Sequence, residues 1–85
     1  MYYCLIIKNN GDGKSHIEFT ETKPEERLKL HQSREVKETE NFNSPEIVYY
    51  EAYKSKEEAI HRTNSLKLYG NAWAQLKRRI KESLR

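Results

Sequence analysis

The chain has 85 residues, 35% of them hydrophobic and 34% charged, and a formal net charge of +3. That length sustains one hydrophobic core, so residues 1–85 are expected to form a single domain. A lone cysteine, Cys4, excludes an intramolecular disulfide framework and any multi-cysteine zinc site, and the longest apolar run, ending at Ile7, is far shorter than a membrane span. No membrane partner and a reducing, cytoplasmic setting are therefore the expectation. The charge is uneven: residues 1–21 sum to −1, residues 22–34 to +2, residues 35–54 to −3 and residues 55–85 to +5. The basic excess belongs to the end of the chain.

In chain order, Tyr2-Tyr3-Cys4-Leu5-Ile6-Ile7 reads as a strand, and Ser15-His16-Ile17-Glu18-Phe19-Thr20 alternates polar and apolar residues with period two. The linker between them contains Asn10-Gly11 and Asp12-Gly13, which supply positive φ angles, so the two strands are predicted to form a hairpin. Thr22-Lys23-Pro24-Glu25 carries a helix-start signal with Thr22 as cap, Pro24 in the first turn and Glu25 reaching back. The helix should run through Arg27, Leu28, Leu30 and His31 and fade near Gln32-Ser33. Residues 34–45 are polar and aperiodic, with Phe42 the one aromatic that could pin the loop to the core.

Glu46 to Tyr53 is rich in β-formers and apolar on both faces, which predicts the central strand of the sheet. Ser55-Lys56-Glu57-Glu58 repeats the capping-box signal for a second helix through Ala59, Ile60, Thr63 and Leu66, with Gly70 as its stop. Asn71 is the expected cap of a third helix. There Trp73, Leu76, Ile80 and Leu84 form an apolar stripe, and Lys77, Arg78, Arg79, Lys81 and Arg85 occupy other positions. The predicted fold is an α/β (α+β) domain of order β-β-α-β-α-α: a three-stranded sheet with an N-terminal hairpin and flanking helices.

The hairpin, Arg27 one turn before His31, the strand Tyr49-Tyr50-Glu51-Ala52-Tyr53 and the helix start Ser55-Lys56-Glu57-Glu58-Ala59 together resemble the GIY-YIG endonuclease domain, over nearly the whole chain. The likeness is to the small stand-alone bacterial members, with Arg62-Thr63-Asn64-Ser65-Leu66-Lys67 in the place of their Arg-Glu-Lys and Leu-Lys ending. The resemblance implies one scissile phosphate surrounded by a tyrosine from each hairpin strand, an arginine on the first helix and a glutamate on the second. Hydrolysis needs a base for water, a cation for the developing charge and a carboxylate to hold a divalent metal.

Carried over, those roles are largely vacated. Leu5 stands for the first tyrosine, His16 for the second, Glu18 for a glycine, and Thr63 for the metal-binding glutamate; a neutral hydroxyl is a poor sole anchor for a hard cation. Arg27 keeps the arginine position, after a Thr20–Arg27 segment one residue longer than usual, and His31 should share its helix face.

Three readings follow. The first is a catalytically degenerate GIY-YIG-like module without a cofactor that binds DNA or another nucleic acid through Arg27, His31, Lys77, Arg78 and Lys81. The second is an active Mg²⁺- or Mn²⁺-dependent endonuclease with a remodelled site, in which Arg27, His16 and His31 are the candidate catalytic residues and Glu18 the candidate metal ligand. The third is a protein-interaction module that retains only the fold. Outside these sets, Glu51 is a candidate replacement carboxylate or else a structural ion pair with Lys54, Tyr49, Tyr50 and Tyr53 could stack on bases but are expected to pack in the core, as is Trp73, and Cys4 is expected to behave as a small buried hydrophobe.

Overall fold

A computed structural model describes all residues 1–85. Three strands, β1 (Tyr2–Asn9), β2 (Ser15–Thr20) and β3 (Pro45–Tyr53), and three helices, α1 (Pro24–Gln32), α2 (Lys56–Leu68) and α3 (Gly70–Arg79), follow the predicted order, with a 3₁₀ turn at Lys37–Thr39. The sheet is antiparallel throughout with strand order β2-β1-β3. No helix is long and apolar enough to cross a membrane.

The middle strand is β1, not β3 as the sequence suggested. Cys4, Leu5, Ile6 and Ile7 are four consecutive buried residues, the signature of a strand covered on both faces. The apolar character of β3 on both faces has another origin. Ile6 pairs with Tyr49 and Ile7 with Ile47, so Val48 is an inserted residue in a β-bulge. The bulge sends Val48 and Tyr49 together toward the main core, while Ile47 and Tyr50 line a groove beside Pro24 and Leu28 of α1. Tyr50 stays half exposed there, its ring edge-on to Tyr3 at 6.0 Å.

The two sheet faces are covered differently. Cys4 and Ile6 pack with Leu66 of α2 and Leu76 and Ile80 at the end of α3, flanked by Ile17, Trp73 and Leu84. The predicted α3 stripe therefore does pack, although the helix itself stops at Arg79 and Leu84 returns through a turn closed by its N–H to the Ile80 carbonyl. Leu5 and Ile7 point to the opposite face, on the side of α1.

The turns follow local chemistry. In the hairpin the Gly13 N–H donates to the Asn9 carbonyl, closing a turn over Asn10-Gly11-Asp12, and only Gly13, which leads into β2, takes a positive φ, of 77°. The Asp12 carboxylate accepts from the Asn9 side chain and the Lys14 N–H, and the buried Asn9 amide oxygen accepts from Gly11 and Ser44, tying the hairpin to the loop before β3.

Helix starts were legible only in part. Ser55 caps α2 by accepting the Glu58 N–H. Lys23, not Thr22, flanks the start of α1, and its ammonium, which has no acceptor, provides no side-chain cap; the Thr22 N–H donates to the Thr20 hydroxyl. Gly70 opens α3 instead of ending α2, with Tyr69 as the residue between the two helices, so Asn71 lies inside α3 and caps nothing.

Candidate functional site

Side-chain alternation in β2 puts His16, Glu18 and Thr20 on the face that α1 overlies, with Glu18 opposite Leu5. On α1, Arg27 and His31 are one turn apart and share the facing side. The structure brings His16, Glu18, Arg27 and His31 together around the Glu18 carboxylate. Arg27 donates through Nε to Oε2 at 2.6 Å and through Nη2 to Oε1 at 3.2 Å. His16 Nε2 lies 3.0 Å from Oε1 and His31 Nε2 3.0 Å from Oε2. A carboxylate only accepts, so both imidazoles present Nε2–H to it. Thr20 is buried nearby but serves the backbone of Thr22 instead.

A fifth member was not foreseen. Thr39, fully buried in the 3₁₀ turn, places Oγ1 2.6 Å from His31 Nδ1 and fixes the ring of a histidine that is itself without solvent exposure. Nothing in the polar 34–45 segment distinguishes that threonine, and only Val36, buried beside it in sequence, hints that the segment touches the interior.

Burial opposes ionisation of Glu18, but hydrogen bonds from His16, Arg27 and His31 outweigh it and hold the carboxyl well below the usual carboxylate range. The same carboxylate raises the pKa of Arg27. No buried side-chain polar atom in the molecule lacks a partner.

Beside this network an open pocket of about 300 Å³ is bounded by His16, Glu18, Arg27, Glu38, Thr63 and Lys67. Thr63 thus borders the pocket from α2, but it cannot take the part of a metal-binding glutamate: it is buried and its hydroxyl donates to the Ala59 carbonyl at 2.8 Å. Ile60, Asn64 and Lys67 are the other α2 residues around the pocket, and none is a carboxylate. A hard Mg²⁺ or Mn²⁺ ion held from the second helix does not fit these residues. Leu5 is fully buried and offers no proton-transfer group.

Glu51 belongs to a separate cluster on the opposite sheet face. Its partner is Arg62 of α2, at 2.9 and 3.2 Å, and not Lys54, which is exposed on the surface. Period-two spacing brings the hydroxyls of Tyr49 and Tyr53 to the same carboxylate at 2.7 and 2.6 Å. Both tyrosines are thus bound at their polar ends while Tyr49 packs against the core. Cys4, in the register position facing Glu51, is buried as expected, and that burial raises its thiol pKa.

The basic residues lie elsewhere. Lys77, Arg78, Arg79 and Lys81 are exposed and none enters an ion pair; the only pair in this segment is Arg85 with Glu82. Lys77 Nζ sits 5.5 Å from the centre of the Trp73 ring, at the edge of a pocket shared with Lys8, Gly13, Ser15 and Leu84. No residue of α3 borders the pocket at Glu18, so Arg27 and the α3 cations do not form one surface cluster.

Comparison with protein-family models, with curated proteins and with solved structures finds no match.

Proposed function

We propose that the chain is a non-catalytic nucleic-acid-binding module, GIY-YIG-like in its arrangement, that grips a phosphate backbone with the exposed cations of the α3 C-terminal end and the turn after it. The observation that carries this reading is the contrast between its two sets of cations. Arg27 is neutralised by a buried carboxylate, whereas Lys77, Arg78, Arg79 and Lys81 are exposed and unpaired. Exposed, unpaired cations gain most by displacing the counterions of a polyanion. Trp73, partly exposed beneath Lys77, adds an aromatic surface there.

Three side chains argue against hydrolysis. Leu5 and Thr63 replace groups that would move a proton and hold a metal, and Glu18 sets a negative charge where a phosphate would approach Arg27.

The test is to incubate the protein with labelled branched and single-stranded DNA, with and without Mg²⁺ or Mn²⁺, recording binding and cleavage together. Binding at low salt without cleavage is expected. Metal-dependent cutting abolished by Arg27→Ala would overturn the non-catalytic part, and no binding at low salt would overturn the reading altogether.

A further inference from the structure

We infer that His16, Glu18 and His31 form a binding site for a divalent transition-metal ion of the Zn²⁺ class. One ligand atom from each, the two Nε2 atoms and a carboxylate oxygen, lies within 4.8 Å of the others. The two nitrogen-to-oxygen separations are both 3.0 Å. They run to different oxygens of the carboxylate, and two ligand atoms about 2.1 Å from a tetrahedral ion lie about 3.4 Å apart, so each imidazole needs to move outward by only a few tenths of an ångström to share an ion with its oxygen.

The surroundings are those of a ligand set. His31 is immobilised through Nδ1 by Thr39, which leaves Nε2 as the coordinating atom and supplies the outer hydrogen bond that metal-bound histidines use. Glu18 is nearly buried, and His16 is partly exposed where the pocket of about 300 Å³ opens, so solvent can complete the coordination shell. Two imidazoles and one carboxylate select Zn²⁺, Co²⁺ or Ni²⁺ over Mg²⁺ or Ca²⁺, which prefer all-oxygen shells. On binding, the proton on each Nε2 is exchanged for one on Nδ1 of the same neutral ring, which in His31 donates to Thr39 Oγ1, and the Nε2 lone pair turns to the metal. The guanidinium of Arg27 takes one lone pair on each Glu18 oxygen and leaves others for the ion. Its positive charge opposes the cation, which gives the site a distinctive response to mutation.

Zn²⁺ titration of the full chain against a chromophoric chelator, with Co²⁺ absorption as a second readout, tests the site without nucleic acid, so its outcome is separate from that of the DNA reading. One equivalent of Zn²⁺ should bind, with visible Co²⁺ bands of nitrogen and oxygen ligation. Glu18→Gln should weaken binding at least about a hundredfold and Thr39→Val, which removes only the outer hydrogen bond, about tenfold. Arg27→Gln should tighten it about tenfold, because a positive charge a few ångströms from the ion is removed. His16→Gln, at a half-buried strand position compatible with folding, should abolish the Co²⁺ bands. Circular dichroism of each variant shows that it is folded. Absence of a one-to-one site, or Zn²⁺ affinity indifferent to Glu18→Gln and His16→Gln in folded proteins, would overturn the inference.

Discussion

At the scale of single residues, Glu51 is a second source of pH-dependent stability beside the more strongly shifted Glu18. Burial disfavours its charge, but hydrogen bonds from Arg62, Tyr53 and Tyr49 prevail and lower its pKa from the ordinary 4.5. A carboxyl whose folded pKa is depressed stabilises the fold above its unfolded value and loses that contribution as pH falls through the folded one. The tyrosines behave in the opposite sense. Burial and then the bond to Glu51 push Tyr49 up to about 12, and Tyr53 is raised for the same reasons. Their contribution is present below pH 10 and is lost as pH rises through the folded values. Thermal melts should therefore show a plateau between about pH 5 and 10, falling on both sides. Glu51→Gln should lower the plateau and flatten the acid fall; an unchanged pH profile in that variant would contradict the assignment.

The same cluster shows what the sequence could tell and what it withheld. Alternation in β2 paired His16 with Glu18 and one-turn spacing in α1 paired Arg27 with His31, since both periodicities are local, whereas joining the two pairs rested on the GIY-YIG resemblance. Arg62 as the partner of Glu51 was not legible, because the contact joins a strand to a helix and Lys54 was nearer in sequence. Thr39 was beyond reach for a similar reason: an irregular segment has no period from which to compute where a side chain points.

Among the elements, the end of α1 carries a correctable fault. The N–H of Glu35 donates to the Leu30 carbonyl and that of Arg34 to the His31 carbonyl, which closes the helix in a Schellman motif. The left-handed position of that motif, with φ of 63°, is filled by Arg34 where glycine is usual. Arg34→Gly should stabilise the protein by about 0.5–1 kcal/mol, because a left-handed conformation costs an ordinary L residue about 1–2 kcal/mol and glycine offsets part of this with its own entropy. A rise in Tm of several degrees is expected for a domain of this size, and a fall would contradict it. The Ser55 cap works in the other direction: Ser55→Ala should cost about 1 kcal/mol, read from urea unfolding as a lower midpoint with an unchanged slope.

Elements also explain the misplaced centre of the sheet. A strand apolar on both faces was read as central, but in β3 the doubling is made by a bulge that rotates Val48 and Tyr49 to one side and Ile47 and Tyr50 to the other. A bulge depends on the partner strand, so its position is invisible in one sequence. The unbroken aliphatic run of β1 was the better signal, since aliphatic side chains have no polar end to carry to the surface while tyrosine does. The hairpin needed no such context, because its turn is closed within residues 9–14 by bonds between Asn9, Gly13 and Lys14.

For the whole molecule, Lys77, Arg78, Arg79 and Lys81 stay exposed and unpaired at the end of α3 and in the turn after it, while Arg27 of α1 is taken up by Glu18. Arg62, on α2, is likewise held by Glu51. That division is the basis of the functional proposal, and fluorescence anisotropy of a labelled DNA over a series of salt concentrations measures it most directly. Each phosphate contact by a cation contributes about −0.9 to the slope of log affinity against log salt on duplex DNA. With Lys77, Arg78, Arg79 and Lys81 in contact, the slope should be roughly −3 to −4 and should fall toward zero in the Lys77→Glu, Arg78→Glu, Lys81→Glu triple variant, while Arg27→Gln leaves it unchanged. A slope near zero in the natural sequence, or one lost with Arg27 and kept by the triple variant, would contradict the account.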